Sequence, residues 1–541
     1  MADIVVIGGG SAGCAAAGRL AAEGGLHVAL LEAGAGGTSL HTTVPALVSK
    51  LVMNPDFDWM YPTEADPSIG GRKDIWPSGK RLGGGSAING MMYIRGHADD
   101  YDRWRDLGAQ GWDYDSCLSY FRTMEANPRS GRFHGASGPV KVSESRLGYA
   151  VTDSWIASAQ NAGLPLRDLN GDGREAIGVD RVQQSQWKGR RWSAADAYIR
   201  TRPGSGRLDV RDRALVTRIL IVNGRAIGVE YRDGRTGETR QIHASKGVVL
   251  SAGTLASPKI LMLSGVGPHM ELRKHEIAAI VDLPGVGANL QEHVGIHLVS
   301  PVTAETINSD MLGSGLARAV FKYLFARGGP MTAGIATAQA MLRLDGDLDS
   351  SIQLGFSPFA FEILPTGQRR LLRESAVTIL IAAMHPRSRG RVSLRSADPK
   401  EPPLIEHRLL GDARDVDLLA RGLERAREVL RARPICQLLS GEGQPARDLA
   451  GEALAEHIRA SAFPLFHPVG TCRMGTDDMA VVDPDLRVRG VDGLWVADCS
   501  VAPELVCANT NATAIMLGEK ASDHILGRFG APDSRRRPTA S

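Results

Sequence analysis

The chain has 541 residues, more than one ordinary core accommodates, so two domains are the first expectation. Its 63 Lys and Arg nearly balance its 60 Asp and Glu, which argues against a nucleic-acid or membrane partner, and no run of about 18 apolar residues offers an integral membrane span. Six scattered cysteines without a C-x-x-C pair fit reduced thiols, and "MADIVVIGGGSAG" lacks the basic start of a signal peptide. The expected location is cytoplasmic, with peripheral attachment to a membrane left open.

The first 35 residues read as strand (4–7), helix (11–24) and strand (27–34). Gly8, Gly10 and Gly13 form G-x-G-x-x-G between the first strand and the helix. The first glycine permits the tight turn, the second lets backbone approach a pyrophosphate, and the third allows close helix–strand packing. Glu32, 19 residues past Gly13, ends the second strand and can accept hydrogen bonds from ribose hydroxyls. Together these specify a dinucleotide site without distinguishing NAD from FAD. A second glycine-rich turn, Gly83-Gly84-Gly85-Ser86, lies in "GKRLGGGSAINGMMYIRG" (79–96) and lets backbone N–H groups approach an anionic or planar ligand.

Farther on, Asn-Gly and Asp-Gly within 207–234 predict a hairpin, and "KGVVLSAG" (246–253) reads as a buried strand. His293 and His297, four apart, would share a helical face, but no third ligand accompanies them and no metal is expected. Segment 303–334 reads as a loop and an amphipathic helix suited to a lid, and 351–365 as a strand carrying Phe356, Phe359 and Phe361. Those rings would suit an apolar or aromatic substrate, or simply pack the sheet. A Pro-rich passage and an amphipathic helix occupy 396–430, a further strand 493–500, a helix 512–526, and a frayed basic tail 531–541.

The loop 79–96, "GTLASPKILMLSGVG" (253–267), "LPGVGANLQEH" (283–293), "HPVGTCRMG" (467–475) and the block 493–523 resemble, in order, the motifs of the glucose–methanol–choline oxidoreductases, nearest the choline-dehydrogenase-like alcohol dehydrogenases of bacteria. The resemblance implies an α/β fold: a Rossmann-type FAD domain (1–150, 190–298, 462–530) with a discontinuous substrate domain on an antiparallel sheet (151–189, 299–461). It implies FAD contacts at Gly8, Gly10, Ser11, Ala12, Gly13, Glu32, Ala33, Gly83, Gly84, Gly85, Ser86, Asn89, Gly90, Met91, Asp498, Asn509 and Thr510, and a backbone contact from Val216 to adenine. Some relatives link FAD covalently through a histidine where this chain has Ile88, so FAD is expected to be non-covalent.

The same resemblance sets His467 against Asn509. Oxidising an alcohol at a flavin sends a hydride to the flavin and a proton to a base; imidazole suits that role and an amide can only orient the hydroxyl. A helix cap remains an alternative for Asn509, and Asn511 an alternative partner. Cys472 is expected to be a packed thiol. The implied activity is FAD-dependent oxidation of a primary alcohol to the aldehyde, with electrons passing to a quinone or dye-like carrier. An oxidase using O2 and a non-redox hydroxynitrile lyase are the alternatives.

Overall fold

The computed structural model describes residues 1–201, 206–363 and 369–529; the expected tail at 531–541 lies outside them. β1 (Ala2–Ile7) is almost wholly buried, as its β-branched run requires, and leads through Gly8 into α1 (Ser11–Ala22) and β2 (Val28–Glu32). β1 pairs in parallel with β2 on one side and with the strand Thr239–Leu250 on the other. Leu208–Asp212 extends the sheet beyond β2, and Leu494–Val496 pairs with the end of Thr239–Leu250. The start of that long strand joins an antiparallel meander with Arg225–Asp233 and Ala214–Val222. Their turn is Asn223-Gly224, both at positive φ (49° and 73°), as the Asn-Gly pair predicts.

The second sheet has six strands in the order Phe463–Pro464, Val294–Pro301, Ala376–Ala383, Ser351–Ser357, Ala338–Arg343 and Gly178–Arg181, every neighbour antiparallel. The helix Ala413–Arg431 covers one face, and a Cβ at Gly422 would meet Ile381 at 2.8 Å, so glycine lets helix and sheet close together. The fold is thus α/β, a parallel nucleotide-type sheet beside an antiparallel one. Each sheet has its own principal apolar core. The sequence boundary at 298/299 falls inside the strand Val294–Pro301. That strand also corrects the helical reading of His293 and His297: His293 immediately precedes it and His297 lies within it.

The predicted amphipathic helix in 303–334 is Ser314–Ala326. It turns only Gly315, Ala319 and Tyr323 inward, so its broad apolar face points to solvent.

Candidate active site

The two glycine turns pack on each other. A Cβ on Gly13 would lie 2.0 Å from the Gly8 carbonyl oxygen, and one on Gly84 would lie 2.6 Å from the Gly10 Cα. In contrast, a Cβ on Gly85 would meet nothing within 4 Å, and one on Gly10 only the Ser251 carbonyl at 3.9 Å. The inner glycines are therefore fixed by packing, and the outer ones face open space. Gly83 N–H donates to the Gly9 carbonyl at 2.7 Å, locking the turns in register. Glu32 is buried beneath them and accepts from Gly9 N–H (2.9 Å) and Gly34 N–H (2.7 Å); burial pushes its carboxyl above the usual range.

Two helix N-termini converge here. Ser11, which opens α1, donates its hydroxyl to Asn511 Oδ1 at 2.7 Å, and Asn511 opens the C-terminal helix Asn511–Arg528, whose N-cap is Thr510. Ala12 and Gly518 hold the helices together, since a Cβ at Gly518 would sit 2.2 Å from the Ala12 carbonyl. Two positive helix ends aimed at one place form an anion site. Arg191 adds a cation: its Nη1 donates to Asn89 Oδ1 (2.8 Å) and the Ser86 carbonyl (3.2 Å). Its buried Nε and Nη2 have no protein partner, and burial lowers its pKa to about 9. A buried guanidinium with unsatisfied donors beside a glycine cradle fits an anionic cofactor such as FAD.

His467 follows Phe466, a residue at positive φ, and its backbone N–H donates to both oxygens of buried Glu292 at 2.7 and 2.9 Å. Its ring is tied at both nitrogens: Nδ1 lies 3.0 Å from His293 Nδ1, and Nε2 lies 3.2 Å from Asn509 Nδ2. The proton positions follow by elimination. His293 Nε2 lies 3.1 Å from the Met384 carbonyl, which can only accept, so His293 carries its proton there. Burial holds His293 well below its ordinary pKa, hence neutral, and its Nδ1 must accept. His467 therefore donates from Nδ1 and leaves Nε2 as the basic nitrogen. Asn509 is oriented to match: its Nδ2 donates to that nitrogen, and its Oδ1 faces Gln353 Nε2 at 3.5 Å, which also donates to Gln339 Oε1 at 3.0 Å. Burial lowers the His467 pKa to about 4.

The structure thus brings together His467 and Asn509, and separately the residues of the two glycine turns with Ser11, Glu32, Ser86, Asn89 and Thr510. Gly90 packs against Ile335, and Met91 (φ 65°) accepts from Ser185 N–H at 2.8 Å. Ala33 follows β2 directly, and Val216 is buried in the strand Ala214–Val222. The Asp498 carboxylate accepts from Gly253 N–H, the Ser257 hydroxyl and Ser500 N–H, tying the 253–257 turn to 498–501. Phe356 departs from its expected place. Strand alternation sends it away from Gln353, and it stacks on Trp155 at 5.1 Å in the core of the second sheet. Phe361 instead approaches His297 (6.0 Å), which also meets Phe463 (4.4 Å), and Phe359 lies 6.5 Å from Phe361. His297 shares strand parity with His293, so this aromatic group borders the side on which His293 meets His467.

Arg191, His293, Glu292 and Gln353 went unassigned from sequence; "NLQEH" placed Glu292 and His293 in a motif without giving them a task. Cys472 is buried and burial pushes its thiol up, as packing requires. Among the described residues, Asp100, His385 and Cys507 gather ligand-type atoms within 4.8 Å of one another. The Asp100 carboxylate there already meets His385 Nε2 at 2.9 Å and accepts from Cys507 N–H at 2.7 Å.

Residues 2–295 and 386–518 match the two family profiles described as GMC oxidoreductase. An uncharacterised GMC-type oxidoreductase of Mycobacterium tuberculosis is 38% identical, covering 97% of this chain and 99% of its own. The oxygen-dependent choline dehydrogenase of Brucella anthropi is 36% identical over 99% of this chain and 98% of its own. Among solved structures, pyridoxine 4-oxidase from Mesorbium loti matches with a TM-score of 0.86 at 29% identity, over 97% of this chain and 99% of its own. An FAD-dependent oxidoreductase from Chaetomium thermophilum matches with a TM-score of 0.87 at 26% identity, over 98% of this chain and 100% of its own.

Proposed function

The chain belongs to the GMC oxidoreductases, a family of FAD flavoproteins, and from that membership we propose that it oxidises a primary alcohol to the aldehyde with His467 as the base. The observation that carries this reading is the proton order from the Met384 carbonyl through His293 to His467, which leaves one unprotonated nitrogen, Nε2, facing Asn509. A substrate hydroxyl taking its place between these two groups would accept from the Asn509 amide and give its proton to Nε2. Glu292 holds the His467 backbone, so the ring is presented from a fixed loop. The aromatic group of Phe361, His297 and Phe463 would wall the substrate side.

FAD, when bound, supplies the hydride acceptor. The residues that would hold it are the two glycine turns, Glu32 at the ribose, and Arg191 with the helix ends at Ser11 and Asn511 at the anionic groups. Ile88, buried just after the second turn, offers no nucleophile for a covalent bond, and the cofactor is proposed to be non-covalent. The regions assigned from sequence to cofactor and substrate correspond on this reading to the two sheets, with one boundary moved before Val294 and another moved past Pro464. The proposed location is the cytoplasm.

An anaerobic panel of alcohols, read by bleaching of flavin absorbance and followed by admission of oxygen or a dye, tests the reaction and its acceptor together. Bleaching by a primary alcohol is expected. A holoenzyme that no alcohol bleaches, but that cleaves cyanohydrins, would instead be a lyase.

A further inference from the structure

Among the described residues no helix is long and apolar enough to cross a membrane, yet one is built unlike a water-facing helix. Eighteen large apolar side chains are exposed among the described residues, and six of them (Leu312, Leu316, Val320, Phe321, Leu324, Phe325) fall within residues 312–325. Phe321, Leu324 and Phe325 are the most open, at 63%, 60% and 75%, and the two phenylalanine rings touch at 4.4 Å. At 3.6 residues per turn these side chains cover about half the circumference of Ser314–Ala326, opposite the narrow buried stripe of Gly315, Ala319 and Tyr323. The helix is bracketed by Gly313 and Gly329, both at positive φ, and the Gly315 position lies close against the Asp310 carbonyl. Its outward half is therefore a ridge whose crest is apolar.

The charge around the ridge identifies what covers it. From Met311 to Leu344 the sequence contains no Asp or Glu. Arg318 and Lys322 lie one turn apart on one flank of the crest, and Arg327 caps its end, stacking over Tyr323 at 5.0 Å. None of the three has a carboxylate partner among the described residues. The near-neutral balance of the whole chain conceals this acid-free cationic stretch. A second copy of the chain docked symmetrically through this stretch would set the same cations against themselves, with no acid of 311–344 to receive them. A bilayer with anionic headgroups meets both features, since the apolar crest can enter the acyl boundary while the flanking cations remain at the phosphates.

We propose that the helix Ser314–Ala326 docks the protein in-plane on an anionic lipid surface, through Phe321, Leu324 and Phe325 with Arg318 and Lys322 at the headgroups. The chain after the helix reaches Ile335, which is in contact with Gly90 of the second glycine loop.

The test is flotation of the flavin-loaded protein with vesicles of pure phosphatidylcholine and of an equimolar mixture with phosphatidylglycerol. Salt-sensitive binding to the mixed vesicles is expected. Arg318→Gln/Lys322→Gln should weaken it about 25-fold, from about fivefold per cation near an anionic surface. Phe321→Ser/Phe325→Ser should weaken it by about tenfold or more. Flavin content and thermal midpoint, measured on each variant, establish that they fold. The proposal is overturned if folded variants bind as the parent does, or if the parent ignores the mixed vesicles. It is equally overturned if sedimentation shows a dimer that Phe321→Ser/Phe325→Ser dissociates.

Discussion

At residue scale the proposed chemistry comes down to which nitrogen of His467 holds a proton. Because burial lowers its pKa to about 4, the ring is already neutral above that pH, and flavin reduction should rise through about pH 4 and stay level across neutrality. An exposed imidazole would place the break near 6.5. His467→Ala should keep flavin, slow anaerobic reduction about 100- to 10,000-fold, and lose the acid limb. His293 is a positioning residue in this scheme, acting through His467. His293→Leu removes the acceptor for the Nδ1 proton, so the proton is free to shift to Nε2; reduction should slow about 10- to 100-fold. Nitrogen-15 spectra of His467 would report the changed tautomer, and His293→Gln, which keeps an acceptor and a donor, should restore part of the rate. A slowed His293→Leu with its tautomer unchanged would reduce His293 to a packing role. Arg191 makes an opposite kind of prediction. Arg191→Leu removes a buried cation with unsatisfied donors, so the flavin-free protein should be as stable or more so, while flavin affinity falls by about 10-fold or more, read by fluorescence titration.

At the scale of elements, the glycine turns separate packing from binding. Gly13→Ala forces a Cβ against the Gly8 carbonyl, and thermal unfolding of the flavin-free protein should show a loss of about 1–3 kcal/mol. Gly10→Ala adds its methyl to open space at an ordinary φ of −76°, so the flavin-free protein should unfold as before and bind flavin more weakly. These turns were legible in the sequence because their meaning is local: strand, turn, helix and acid fall within about thirty residues. The pairing of His467 with Asn509 was legible only through motif order. What the sequence could not disclose was the far end of each interaction. His293 lies 174 positions from His467, and the Met384 group that decides the proton order is a backbone carbonyl, which no residue type encodes. Phe356 was misplaced for a different reason: Ser351–Phe356 is buried on both faces, so polarity could not show which parity faces Asn509.

For the whole molecule, the interleaving of the two sheets follows from the order of their strands. The chain lays down β1 and β2, leaves for the second sheet at Gly178–Arg181, returns for Leu208–Leu250, leaves again from Val294, and returns only at Leu494–Val496. The last pass brings both Leu494–Val496 beside Thr239–Leu250 and the helix that meets α1 at Ser11. Such long-range pairing is costly to close and slow to form. During synthesis, then, a nascent chain carries its glycine turns out of the ribosome first yet lacks the strand and helix that finish the cradle until nearly the end. Cofactor loading is then expected of the released polypeptide, not of the growing one. A chain stopped at residue 490 should accordingly copurify without yellow colour, while the same fragment supplemented in trans with residues 491–529 has every described strand and helix needed to recover it.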